Sequence, residues 1–135
     1  MMMKQAIKTI LLAEDDATNR KLMRVVLGNN NRYRILEAVS ADEAMAHLRK
    51  VKPDLLLLDI RLGDGSGLDV INSVRADPSF DDVPAVAITA QAMKNDEKRF
   101  LAAGFDGYLS KPVDTRRLPA ILDQFINEGR KIEHA

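Results

Sequence analysis

Leu55-Leu56-Leu57-Leu58-Asp59-Ile60-Arg61-Leu62, running into Gly63-Asp64-Gly65-Ser66-Gly67, is the stretch that decides the fold. Four consecutive leucines after Lys52-Pro53 show no polar alternation and are too few for a helix, so they read as a strand buried on both faces. Such a strand belongs inside a parallel sheet with helices on either side. Asp59 is the first polar residue after the run and marks where burial ends.

On both sides of this strand, strand and helix signals alternate. Upstream, Ile10 to Ala13 is an apolar run, and Leu22, Val25 and Val26 fall at helical spacing before Gly28, which supplies a stop. Tyr33 to Val39 reads as a second strand centred on Ile35 and Leu36. Ser40 and Glu43 form a capping box for a helix with Ala44, Leu48 and Val51 on one face. Downstream, the Gly63 to Gly67 run predicts a flexible turn, followed by a helix presenting Leu68, Ile71 and Val74 and closed by Asp77-Pro78. Ala85 to Ile88 is the fourth strand, Asn95 to Ala103 a helix with Gly104 at its C-cap, and Gly107 to Leu109 the fifth strand. Leu118, Ile121, Leu122 and Phe125 follow the helical rule to near Gly129, with Pro119 removing a hydrogen bond or moving the helix start toward Arg116 and Arg117.

Five strand–helix units imply right-handed crossovers and a doubly wound α/β fold, a five-stranded parallel sheet in the flavodoxin-like order 2-1-3-4-5. That order sets the first strand beside the third at the topological switch point, so Asp15 and Asp59 are expected to face each other across the crevice.

Composition narrows the function. A chain of 135 residues, 46% hydrophobic, predicts one domain over residues 1–135, packed from about residue 8 to about residue 127, with a short charged tail. Twenty basic and twenty acidic residues leave no electrostatic footprint for nucleic acid or an anionic membrane, so partners are expected to be proteins or small anions. The absence of cysteine excludes disulfides, thiolate zinc sites and thiol catalysis. No apolar run approaches the roughly 18 residues of a membrane span, and the N-terminal segment is a poor signal peptide, so a cytoplasmic protein is expected.

Four strand ends carry groups from one chemical set: Glu14 and Asp15, Asp59, Thr89 and Lys111. Taken singly, an acid after a strand caps the next helix, a threonine ends a strand and a lysine is a solvated amine. At four ends of one sheet edge they converge. Clustered carboxylates repel unless a cation offsets them, and with neither His47 nor His134 expected nearby, the donor set suits Mg2+. Asp59, on the central strand, is then the candidate nucleophile toward phosphorus, with Lys111 neutralising the phosphoryl oxygens and Thr89 donating a hydrogen bond.

These residues in these positions resemble the receiver domain of two-component response regulators. The resemblance runs from Thr9-Ile10-Leu11-Leu12-Ala13-Glu14-Asp15-Asp16 through Leu58-Asp59-Ile60 and Ile88-Thr89-Ala90 to Tyr108-Leu109-Ser110-Lys111-Pro112. It implies that Glu14 and Asp15, with Asp59 and the backbone carbonyl of Arg61, hold Mg2+, and that Asp59 receives phosphate from a histidine kinase or histidine phosphotransfer protein. It further implies that Thr89 and Tyr108 form the switch, that Arg61 and Gln91 tune phosphate loss, and that Lys111-Pro112 is a cis peptide. The stretch from Thr89 to Pro112 is most similar to single-domain cell-cycle regulators and hybrid-kinase receivers. Gly63 stands where the family often has proline, which leaves the loop beside Asp59 looser.

The leading expectation is therefore a phospho-acceptor switch, not an enzyme acting on other molecules. With no output domain after the last helix, it would signal to a downstream protein through contacts, as a monomer or weak dimer. A receiver cut from a hybrid kinase is the alternative setting. An aspartyl-phosphate phosphatase would want a second aspartate two residues after the nucleophile, where this chain has Arg61. A flavin carrier would want a hydroxyl-rich loop and aromatic stacking, against Glu14-Asp15-Asp16 and 4% aromatics. A nucleotide hydrolase would want a Gly-x-x-x-x-Gly-Lys-Ser/Thr loop, which the chain lacks.

Overall fold

Every residue of β3 (Leu55–Asp59) is buried in the computed structural model of the chain, which describes residues 6–28, 31–90 and 96–130. β1 (Lys8–Ala13) pairs with β3 on one side and with β2 (Tyr33–Ala38) on the other. The hairpin strands β4 (Arg61–Leu62) and β5 (Gly65–Ser66) form a separate antiparallel ladder. β6 (Ala85–Thr89) and β7 (Gly107–Ser110) complete a parallel sheet in the order β2-β1-β3-β6-β7. With the hairpin set aside this is the 2-1-3-4-5 order read from the sequence.

Alternating strand residues divide the core between the two faces. Ile10, Leu12, Leu55, Leu57, Val86 and Ile88 pack with Met23 and Leu27 of α1 (Ala17–Gly28) and Leu118 and Leu122 of α5 (Leu118–Glu128). Leu11, Leu56, Leu58 and Ala87 face α2 (Ala41–Leu48), α3 (Gly67–Arg75) and α4 (Asp96–Ala103) through Ala44, Leu48, Val70, Ile71, Val74 and Phe100. Among the described residues no helix is long and apolar enough to cross a membrane.

Several local expectations need correction. In α1 the buried pair is Met23 and Leu27, whereas Leu22 and Val25 are 48% and 53% exposed. Two apolar stripes one residue apart fit the same periodicity, and contact with Ile10, Leu12 and Tyr33 selects the second. α2 stops at Leu48, so Val51 lies beyond the helix, and Val39 lies beyond β2. The glycine run is not a free turn: Arg61 pairs with Ser66 and Leu62 with Gly65, leaving only Gly63 and Asp64 at the tip. Of the two readings of Pro119 the second holds: Arg117 is the N-cap residue of α5, so Pro119 falls in the first turn, where its missing N–H removes no helical bond. The C-terminus of α4 follows the expectation. Gly104 has φ +116°, Phe105 N–H donates to the Phe100 carbonyl, Gly104 N–H donates to the Leu101 carbonyl, and the Phe100 and Phe105 rings meet edge-on.

At the edge opposite the strand C-termini, Asp106 ties several segments together. Its carboxylate accepts from Arg75 Nη2 at 3.2 Å, Arg130 Nε at 3.0 Å and the Ala85 amide at 2.8 Å. Arg75 also donates to the Gly104 and Phe80 carbonyls.

Candidate functional site

The parallel register delivers Glu14, Asp59, Thr89 and Lys111 to one edge. Glu14 follows β1, its amide donating to the Ala38 carbonyl at 3.0 Å, and its side chain is fully buried. Asp59 ends β3 and is 3% exposed. Thr89 ends β6, nearly buried, and its backbone carbonyl accepts from the Lys111 amide at 2.8 Å, which fixes where the lysine leaves the sheet. The Lys111–Pro112 peptide is cis.

Lys111 Nζ donates to Asp59 Oδ2 at 2.6 Å and to Glu14 Oε1 at 3.0 Å. Asn19, in the first turn of α1, donates from Nδ2 to Glu14 Oε1 at 3.0 Å. The Arg61 amide donates to Asp59 Oδ1 at 2.9 Å. Burial first, and then the neighbouring Asp59, pushes the Glu14 carboxyl up from 4.5 to about 7, against the opposing hydrogen bonds from Lys111 and Asn19. Burial works against the charge on Lys111, but its bonds to Asp59 and Glu14 outweigh that and hold the amine above its ordinary value.

Carboxylate oxygens of Glu14, Asp15 and Asp59 all lie within 4.8 Å of one another. With the Glu14 proton displaced, three carboxylates against one ammonium leave two net negative charges, the complement of a divalent cation. All-oxygen donors fit a hard ion such as Mg2+. Asp15 is exposed, so one side of the group opens to water. The cleft there, about 490 Å³, is lined by Asp15, Asp59, Arg61, Thr89 and Lys111, together with Arg99 and Phe100 of α4. A buried carboxylate with a cation at hydrogen-bond distance, opening onto a cleft with ample room for a phosphoryl group, can act as a nucleophile with its charge screened.

Of the other residues singled out in the sequence, the Arg61 side chain is exposed and lines the cleft. Gln91 lies outside the described residues. Tyr108 sits on β7, half-buried, its ring 6.1 Å from that of Phe100. His47 bonds the Glu37 carbonyl away from the cleft, and His134 lies outside the described residues. Three contributors have no mark in the sequence. Asn19 reaches Glu14 only because of how α1 is rotated. Phe100 lines the cleft because its helix packs there. A Cβ on Gly67 would stand 2.4 Å from the Asp59 carbonyl oxygen, so only glycine lets α3 start beside the acid.

A family model described as the response regulator receiver domain matches residues 10–123. The polar-differentiation response regulator DivK of Brucella ovis is 33% identical over 122 residues, covering 90% of this chain and 98% of DivK. Among solved structures, the receiver domain of sensor histidine kinase PA1611 from Pseudomonas aeruginosa PAO1 has a magnesium ion coordinated in its active-site cleft. It is 30% identical, with TM-score 0.81, covering 90% of this chain and 99% of that one. A receiver domain protein from Methanospirillum hungatei JF-1 superposes with TM-score 0.81 at 26% identity, covering 91% and 96%. Sheet order, clustered strand-end residues and these matches agree: the chain belongs to the response regulator receiver family.

Proposed function

We propose that the chain is a Mg2+-dependent phospho-acceptor switch whose acceptor is Asp59. The observation that carries this is the Asp59 carboxylate itself, buried at the end of the central strand with Lys111 Nζ at 2.6 Å and two further carboxylates beside it. An Asp59 oxygen attacks the phosphorus of a phosphohistidine on a histidine kinase or histidine phosphotransfer protein. The P–N bond breaks, and the imidazole leaves with the bonding pair and takes up a proton. Glu14, Asp15 and Asp59, with the Arg61 carbonyl, would hold Mg2+, which supplies charge neutralisation for the phosphoryl oxygens. Lys111 shifts from bridging two carboxylates to pairing with the phosphoryl group, and Thr89 donates its hydroxyl to it.

The added charge, about −1.5 to −2 at neutral pH, draws Thr89 toward Asp59. Tyr108, one strand over and packed on Phe100, turns in response and changes the surface formed by α4, β7 and α5. A downstream protein in the cytoplasm reads that surface. Arg61 and Gln91 flank the path of the water that ends the signal. The test is transfer of radiolabel from a phosphorylated histidine phosphotransfer domain: label should move to this chain with Mg2+ present and stay on the donor with chelator. Equal transfer under both conditions would contradict the proposal.

A further inference from the structure

Asp64 belongs to none of the roles above, yet its carboxylate has specific partners 23 and 22 residues away. Oδ1 accepts from the Ala41 amide at 2.8 Å and Oδ2 from the Asp42 amide at 3.2 Å. These are the first two amides of α2, which has its own cap in Ser40, whose Oγ accepts from the Glu43 amide at 3.1 Å. Asp64 thus adds a bond between elements to a helix end that already carries a side-chain cap. The same two amide bonds hold its carboxyl below the ordinary value, so it is ionised at neutral pH.

The hairpin that carries Asp64 needs such an anchor. Two-residue hairpin turns match the twist of their strands when the first turn residue has positive φ. Among the described residues positive φ occurs only at Asn31, Gly104 and Gly129, so Gly63 does not supply it. Two residue pairs and a turn of the wrong hand hold the ladder weakly. The hairpin is also placed where its position matters. At its base Arg61 N–H donates to Asp59 Oδ1, and a Cβ on Gly63 would lie 4.0 Å from Asp15 Oδ2. Beside its tip, the Gly65 backbone passes close to α2: a Cβ there would stand 3.6 Å from the Ala41 Cβ.

We infer that Asp64 is a positioning residue, latching the hairpin tip to the N-terminus of α2 and so holding the Arg61 backbone against Asp59; this rests on the proposed metal and phosphoryl site. Groups hydrogen-bonded to metal ligands typically change metal affinity by 10–100-fold; Asp64 acts one step further out, and Asp64→Ala should weaken Mg2+ binding by about fivefold in calorimetric titration of the full chain. Hydrogen exchange at the Arg61 amide should accelerate in the same variant, with or without metal. Ser40→Ala, which weakens α2 without touching the hairpin, should leave Mg2+ affinity within about twofold and Arg61 exchange unchanged. Should Asp64→Ala not fold, Asp64→Asn, which keeps one acceptor oxygen, should give an intermediate loss. Affinity and exchange in the Asp64 variants equal to those of the unsubstituted chain would overturn the inference. Equal losses in Ser40→Ala would also overturn it, by reducing the effect to helix stability. An unsubstituted chain that binds no Mg2+ would remove the proposed site instead, and Arg61 exchange would still decide the latch.

Discussion

Glu14 holds a proton in the folded, metal-free protein up to about pH 7, because burial and the neighbouring Asp59 both disfavour its charge. The unfolded chain gives up that proton near pH 4.5. The folded state therefore binds more protons across this window, and its stability falls as pH rises from 4.5 to about 7, then levels off. At about 1.4 kcal/mol for each pH unit, the fall is roughly 3–4 kcal/mol at most. Urea titrations in chelator at pH 5 and pH 7.5 should show this fall in the parent and not in Glu14→Gln. A fall that persists in Glu14→Gln would place the proton elsewhere. At this scale Glu14, Asp15, Asp59, Thr89 and Lys111 were legible in the sequence because each ends a strand and strand ends share an edge. Asn19, Gly67 and Asp64 were not, because their contacts depend on helix rotation and loop path, which no local pattern encodes.

Between elements, the proposed switch would run from Thr89 through Tyr108 to the α4 side of the molecule. Thr89 is on β6, Tyr108 on the adjacent β7, and Phe100 of α4 packs against the tyrosine ring. Thr89→Ala should accept phosphate at near the parent rate while losing the change in partner affinity, a coupling of about 1–3 kcal/mol. Partner binding measured with and without phosphorylation checks this, and an unchanged response in Thr89→Ala would route the signal elsewhere. The elements themselves were largely readable from periodicity and caps, from Ser40 on α2 to Gly104 after α4. What periodicity could not choose was the stripe of α1 that faces the sheet. Leu22–Val25 and Met23–Leu27 both fit, and only the shape of the sheet surface separates them. The hairpin was read as a flexible turn because its order comes from contacts with α2 and Asp59 rather than from its own composition.

Over the whole molecule, the two edges of the sheet have different jobs. One gathers unbalanced acids into the cleft, and the other is closed by Asp106 between Arg75 and Arg130, all mostly buried. Asp106→Ala leaves Arg75 without its carboxylate and should cost about 3 kcal/mol of stability, the usual size for breaking a buried pair. The initial rate of phosphate uptake in the folded fraction should not change, since the site lies at the opposite edge. A large loss of rate at unchanged stability would reverse that division. The central claim, that Asp59 is the phosphate acceptor, is tested most directly by intact mass after incubation with acetyl phosphate and Mg2+. The parent should gain one phosphoryl group and Asp59→Asn none, whereas a gain that survives in Asp59→Asn would contradict it.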